Sequence, residues 1–484
     1  MHPKRAPLSE RSAAVALLAV LGMIGCSEGH VEPLWPPPRP LGRDVRAFRP
    51  GRDSAQPEAP SLGVEEPTGT LTLRRALALA LARNSGLAAV SWEVRAAEAK
   101  ALQAGLTPNP EVRVQMEDFG GTGKFEGTKD SEQSLRLSQV IELGRKASKR
   151  RRAARSEAAL CGWDWETKRL DVFAETAKAF VAVLVAEKRL AAAQEMRDLA
   201  EHVMSLVARR VQGGAGSGLE ANEARIALGT SRIDLERARR AMEAARGVLA
   251  GCWDAEKPKF QQVAGELEDL TLTEVPTMEQ LLERIADNPD VARWETEARM
   301  RQFALESEKA SSIPDLRVLV GARRLEDTGD HGYSVALEVS LPIFDRNQGG
   351  IREARFKRIK TAYQRRAAIM AAAAALREMH QTLSASHQEA VLLQREVLPA
   401  AQQAVDTARR GLEGGAVTDL QLLKAQRTLF RAKMRQIDAL EAYHTAAADV
   451  ERLIAQPISA VRTAKRTRPR GDGRATKANQ GSTE

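Results

Sequence analysis

Cys26 is the residue whose neighbours single it out most clearly for chemistry. It follows Met23-Ile24-Gly25, at the end of an uncharged, largely apolar stretch that begins at Ser12, behind the cations Lys4, Arg5 and Arg11. A positive head, a short apolar segment and a small residue before the next position make residues 1–25 an export signal, too short to span a bilayer as a mature helix. The four residues resemble a bacterial lipobox, in which the cysteine is diacylated and becomes the mature N-terminus; Met23 stands where leucine is usual. Ordinary cleavage would instead leave Cys26 an incidental thiol. Acylation would hold the chain at a membrane, each buried methylene adding about 0.8 kcal/mol.

The other reactive residue types form no constellation. The seven histidines are scattered. His380 and His387 share a helical face, but seven positions apart, where a ligand pair needs three or four. No resident metal or cofactor is expected. No nucleophile–base pattern, phosphate loop or paired carboxylate stands out, so the chain reads as a non-enzyme. Cys161 and Cys252 suit a disulfide in an oxidising compartment. Measured along the helices described below, they lie at different heights, roughly 75 and 50 Å from the nearest helix turn, which argues against one.

Arg145, Lys146, Lys149, Arg150, Arg151, Arg152 and Arg155 form a dense cationic run. Such a run can hold phosphate, whether on nucleic acid or on lipid headgroups. An exported chain meets no nucleic acid. The net charge of +9 also lies mostly at the ends: +2 in residues 1–25 and +5 in residues 457–484. No basic face is left for the folded part. Lipid headgroups are the expected partner of Arg145, Lys146, Arg150, Arg151 and Arg152, and a solvated helix face is the plainer reading.

Long helices must position these groups. The chain is 43% hydrophobic but 4% aromatic, and Ala, Leu, Arg and Glu dominate, a helix-rich composition. Residues 26–68, with Pro36-Pro37-Pro38, read as a lipidated tether with no core of its own; residues 457–484 read as a basic disordered tail. Between them lies a tandem repeat, residues 69–253 and 277–456, joined by a linker over 254–276. Asn84 matches Asn288 and Pro110 matches Pro314, both 204 apart; Arg145 matches Arg346 and Gly214 matches Gly415, both 201 apart. Each copy runs helix, strand, strand, long helix, turn, helix.

The strands alternate. Val112, Val114 and Met116 oppose Arg113, Gln115 and Glu117; Leu135 and Leu137 oppose Arg136 and Ser138. In the second copy Leu316, Val318, Val320 and Ala322 oppose Arg317 and Arg323, and Tyr333, Val335, Leu337, Val339 and Leu341 oppose Ser334, Glu338 and Ser340. Period two with one apolar face is a half-buried strand. Four strands pack as a small sheet on helices, or cross a membrane; four are too few to close a barrel alone. No other stretch of the chain reaches the ~18 apolar residues of a spanning helix.

Ser148–Gln212 contains one glycine, Gly162, and no proline, which predicts a helix on the order of 100 Å long. Leu219 to about Trp253 follows as its partner of roughly 50 Å. Ile351–Leu412 and Leu420–Ile454 repeat the pair, with Pro399 expected to kink the first. A stripe such as Phe173, Ala177, Phe180 and Leu184 packs these helices as antiparallel hairpins. Both turns end in glycines, and Ser217…Glu220 and Thr418…Gln421 open the next helix as capping boxes.

This mixed, mostly α layout resembles the outer-membrane efflux, TolC-like family over residues 69–456. Asn109-Pro110-Glu111, Glu117-Asp118-Phe119-Gly120-Gly121-Thr122-Gly123, Ser138-Gln139 and Glu142-Leu143-Gly144-Arg145-Lys146 are similar to its cobalt–zinc–cadmium resistance branch, as is Leu341-Pro342-Ile343-Phe344-Asp345-Arg346-Asn347-Gln348-Gly349. The resemblance implies a homotrimer in outer-membrane lipid. Each chain would give four strands to a twelve-stranded barrel and its hairpins to a tapering periplasmic α-barrel. A periplasmic adaptor and a proton-driven inner-membrane pump would complete the system, the duct itself being passive. It implies a lumen lined by Arg113, Gln115, Glu117, Arg136, Arg317, Arg323 and Glu338. It also implies a periplasmic gate just after the two turns, where the family carries acids. Glu220 and Glu223 fit that pattern; the second copy has Asp419 nearby but Gln421 and Lys424 at the matching positions. A Glu223–Lys424 ion pair would be an alternative lock, and plain helix-end acids the simplest reading. Phe119, Phe125, Tyr333 and Phe344 suit an aromatic girdle or ordinary packing. A duct for drugs or secreted proteins, and a non-conducting coiled-coil spacer, remain alternatives.

Overall fold

The computed structural model describes residues 34–51, 65–214, 216–267, 275–414 and 416–463. Its elements in chain order are β1 (Thr70–Thr72), α1 (Leu73–Arg83), α2 (Ser85–Ala104), β2 (Glu111–Glu117), β3 (Glu132–Ile141), α3 (Lys146–Gln212) and α4 (Gly218–Gly251). Then come β4 (Gln262–Ala264), α5 (Met278–Leu282), α6 (Pro289–Ser311), β5 (Leu316–Leu325), β6 (His331–Val339), α7 (Gln348–Leu392), α8 (Leu398–Glu413), α9 (Asp419–Ile454) and α10 (Ile458–Thr463). From α2 to α4 and from α6 to α9 the order is the same. Arg145 and Asn347 both start their long helix from the left-handed region, φ 57° and 54°, so Arg145 corresponds to Asn347 rather than to Arg346.

The 67 residues of α3 run for about 100 Å. Ala158, Trp165, Val172, Ala179, Ala186, Ala193, Ala200 and Val207 are all buried and all seven positions apart. That seam has the 3.5-residue period of coiled-coil packing. Mostly alanine, it lets α2, α4, α6 and α9 approach α3 closely. The expected kink at Pro399 is a π-helical turn, Leu393–Val397, with the proline at the start of α8. A wider turn relieves the clash of the proline ring with the preceding carbonyl and tolerates its missing N–H.

β2, β3, β5 and β6 form one antiparallel sheet in that order. The pairing aligns the faces. Val112, Leu137, Val320 and Val335 form one row, and Val114, Leu135, Ala322 and Tyr333 the next. Leu137 and Val320 on the inner strands are half-buried by their neighbours in the sheet, and the others are exposed, Val114 at 79% and Tyr333 at 84%, so no helix among the described residues covers that face. Among the described residues β2 and β6 are open edges. The β1–β4 pair is parallel, Leu71 facing Val263.

Two expectations about the ends of the chain change. Residues 34–51 are not a free tether but a strap laid on α3. Trp35 meets Trp165 edge to face at 5.2 Å, Leu41 and Phe48 are buried, and the Leu41 N–H donates to the Ala455 carbonyl. Gly162 is where the strap passes: a Cβ there would overlap the Leu34 carbonyl. Proline fits the strap because it satisfies itself through side chains and isolated bonds rather than a ladder. In the stretch expected as a disordered tail, residues 458–463 form α10, with Val461 buried against Leu281 and Ile454; residues 464–484 lie outside the described residues, as does Cys26. The described part of the 254–276 linker is packed as well. Phe260, Val263 and Leu267 insert beside Phe180 and Leu184 of α3.

Candidate conduit: strand faces, junctions and helix turns

The residues expected to line a lumen fall on one face of the sheet. In the ladder Arg113 stands opposite Arg136, Gln115 opposite Ser134, Glu117 opposite Glu132, and Arg317 opposite Glu338; Ser134 in turn stands opposite Arg323. Two carboxylates of this face escaped the sequence reading. Glu111 reaches over β3 to Arg317 at 3.0 Å, and Glu132 pairs with Arg323 at 3.6 Å. Strand alternation was the available signal for both. Their partners depend on the register between repeats, which alternation does not contain.

The apolar face runs from Val339 to Tyr333, six positions or about 20 Å along β6. Phe119, Phe125 and Tyr333 lie toward the hairpin loops, while Phe344 lies beyond the opposite end of β6 and is 90% exposed. No helix among the described residues is long and apolar enough to cross a membrane.

The cationic run splits in two. Lys146 donates to Asp315 at 2.7 Å, and Asp315 also accepts the Leu143 N–H at 3.2 Å. Arg150 grips both oxygens of Glu142, at 2.6 and 3.0 Å, and donates to the Ala104 and Leu106 carbonyls. These two cations fasten the strand-to-helix junction. Gly144 makes that junction tight: φ is +70°, and a Cβ would lie 2.5 Å from Ile313. Arg145, Arg151 and Arg152 are exposed. At the second junction Asn347 Nδ2 donates to the Glu308 carbonyl and carboxylate, at 2.9 and 2.6 Å.

At the helix turns the capping boxes form as expected. Ser217 Oγ accepts the Glu220 N–H at 3.2 Å and Glu220 accepts the Ser217 N–H at 3.3 Å; Thr418 and Gln421 do the same at 3.3 and 2.8 Å. Glu220 and Gln421 thus share one role, and each cap engages the side chain expected to face a pore. The two copies meet through Leu420 and Leu423, which pack against Val203, Val207, Ala224 and Ala227. At this end Arg210 of the first copy pairs with Asp419 of the second, 3.5 Å. Among the described residues no ion pair joins Glu223 to Lys424, and Lys424 is exposed. Arg210, in the last turn of α3, escaped the sequence reading because its partner lies 209 positions away.

His380 Nε2 hydrogen-bonds the Pro276 carbonyl at 2.9 Å, and the His387 ring lies 5.9 Å from that of Tyr443. Cys161 and Cys252 are free thiols, and burial raises the pKa of both.

Residues 76–253 and 281–456 match the outer membrane efflux protein family. The chain belongs to that family. Among curated relatives, the cobalt-zinc-cadmium resistance protein CzcC of Cupriavidus metallidurans is 31% identical over 419 residues, covering 86% of this chain and 98% of the relative. The nickel and cobalt resistance protein CnrC of the same species is 27% identical over 298 residues, covering 62% and 69%. Among solved structures, that of CusC, reported with transmembrane channel formation, superposes with a TM-score of 0.67 at 17% identity, covering 85% of this chain and 99% of that one. The fold is that of this family of outer-membrane channels, as the sequence resemblance implied.

Proposed function

We propose that this protein is the outer-membrane duct of a tripartite efflux system that exports heavy-metal cations. The observation that carries the reading is the four-stranded sheet. It has a continuous apolar face, an opposite face bearing all seven expected lumen residues, and two open edges. In lipid an open edge leaves backbone groups without partners. β2 and β6 run antiparallel to each other, so β6 of one copy can continue onto β2 of the next, and three copies close twelve strands. The apolar face then meets lipid and the charged face meets water. The α3–α4 and α7–α9 hairpins of the two repeats extend the passage into the periplasm, toward an adaptor and a proton-driven pump.

Residues 1–25 are the export signal, and acylated Cys26 anchors residues 26–68 and the strap within them. Arg145, Arg151 and Arg152 face the headgroups of the inner leaflet, while Lys146 and Arg150 hold the junction above them. Arg210–Asp419, Glu220, Glu223, Gln421 and Lys424 surround the periplasmic mouth. The metal assignment draws on the likeness to CzcC and CnrC, together with the motifs at residues 109–146 and 341–349.

The test is to purify the full chain, measure its mass under native conditions and reconstitute it in planar bilayers. A trimeric mass with stable step conductance is expected, and cells lacking their own duct should gain cobalt, zinc or cadmium tolerance when it is expressed with its pump and adaptor. A monomer without conductance would instead identify a coiled-coil spacer. Conductance without any change in metal tolerance would remove the metal assignment and leave the duct.

A further inference from the structure

The polar face of the sheet is not evenly neutralised. Arg317 and Arg323 have carboxylate partners in Glu111 and Glu132. Arg113 and Arg136 have none among the described residues, and they stand directly opposite each other in the β2–β3 ladder. Like charges so placed repel and weaken a strand pair.

Arg136 lies on an interior strand, so its ladder neighbours all belong to this chain. Arg113 is on one side and Gly321 on the other. Ser134 and Ser138 flank it on its own face, and Gln115, Arg323, Leu319 and Glu111 are the diagonal neighbours. Glu111 is the one carboxylate in that set. It is already engaged by Arg317 at 3.0 Å and by the Ser138 hydroxyl at 3.5 Å.

Gly321 makes room for the arrangement. A Cβ there would lie 3.1 Å from Arg136 Cγ and 2.9 Å from Ser334 Oγ, so a side chain at this position would crowd the arginine stem. The row Arg113, Arg136, Gly321, Ser334 sits near the middle of the strands, away from both ends.

We infer that Arg113 and Arg136 form an anion-selective belt at mid-height of the duct, which takes small anions and metal complexes of net negative charge and opposes bare divalent cations. The inference rests on the reading of this face as the lumen. Three copies bring six guanidinium groups to one height, in a passage with low-dielectric walls that focus their field. The belt lies in series with the acidic residues at the periplasmic mouth. Cations gathered there would cross the outer membrane as complexes with anionic ligands, or with their counter-ions drawn through by the belt. Its effect is greatest in dilute salt, where the screening length is about 10 Å at 0.1 M against about 3 Å at 1 M.

The experiment is reversal-potential measurement on the reconstituted full chain across a KCl gradient, for the wild type, the double variant Arg113→Gln/Arg136→Gln, and Arg113→Lys/Arg136→Lys. Native mass confirms that each assembles as the wild type does. The chloride-to-potassium permeability ratio should fall at least threefold in the Gln variant, remain near wild type in the Lys variant, and fall less as salt is raised. An unchanged ratio in a conducting Gln variant overturns the belt and leaves the duct intact. Failure of the wild type to conduct overturns the duct and the belt with it.

Discussion

Glu166 and Arg169 form an ion pair sealed inside the protein, Oε1 to Nη2 at 2.7 Å, with side chains 0% and 2% exposed. One turn of α3 supplies both residues, and the strap completes them. The Arg39 N–H donates to Glu166 at 2.8 Å, and Arg169 Nη1 donates to the Leu41 carbonyl at 3.0 Å. Desolvating two charges is costly unless their remaining hydrogen bonds are met. Here backbone groups 127 and 128 positions away meet them, so the pair makes the helix dependent on the strap.

Glu166→Ala should therefore cost about 3–5 kcal/mol, because Arg169 is left buried without its counter-charge. Limited proteolysis should cut within residues 34–51 in the variant and spare them in the wild type. A variant as stable as the wild type, with a protected strap, would contradict this account.

Gly162→Ala reverses the usual rule. In an exposed helix interior the change would gain roughly 1 kcal/mol. Here the new methyl meets the Leu34 carbonyl, so stability should fall and the strap should lift. Trp35 and Trp165, 5.2 Å apart, report this through tryptophan emission, which should shift to the red. An unshifted spectrum with raised stability would show that the strap does not need the gap.

Burial pushes the Glu451 carboxyl up to about 7, against the opposing hydrogen bond from the Ile458 N–H. Because the folded state holds this proton more tightly than the unfolded chain, its contribution is fully present below the unfolded value near 4.5 and is lost as pH rises through about 7. Glu451→Gln keeps an oxygen acceptor for Ile458 and removes the titration. The melting temperatures of variant and wild type should be similar near pH 4.5 and diverge in the variant's favour up to pH 8. Parallel curves over that range would sink the claim.

The two faces of the sheet should differ sharply in what they tolerate. If the apolar face meets lipid as proposed, Val335→Arg should cost roughly 2–4 kcal/mol of folding stability in vesicles. Glu338→Arg, three positions along on the polar face, should cost less than about 1 kcal/mol, mainly through repulsion by Arg317. Urea titration of vesicle-folded protein measures both, and equal losses would mean that the faces are assigned wrongly.

Much of this architecture was legible because it is written in local periods. The alternation at Val112–Met116 and Tyr333–Val339 predicts strands and assigns each side chain to a face, since successive residues point opposite ways. The glycine-ended turns with Ser217…Glu220 and Thr418…Gln421 predict helix starts because a cap needs only residues three apart. Matching spacings predict that the order of elements recurs, though the backbone at Arg145 and Asn347 was needed to align the junctions.

What tertiary structure decided lies in pairings across long chain separations. No period in Leu34–Pro50 announces that it will lie on α3, because its partners are Gly162, Trp165, Glu166 and Arg169. Alternation says that Arg113 and Arg136 share a face, but only the β2–β3 register places them opposite each other. The order β2-β3-β5-β6 brings Glu111 to Arg317 across an intervening strand. The sequence by itself determined which residues are apolar, capped or alternating, since those properties arise within a few bonds. The folded chain decided which charges are answered and which stand alone, since that depends on how distant segments close upon one another.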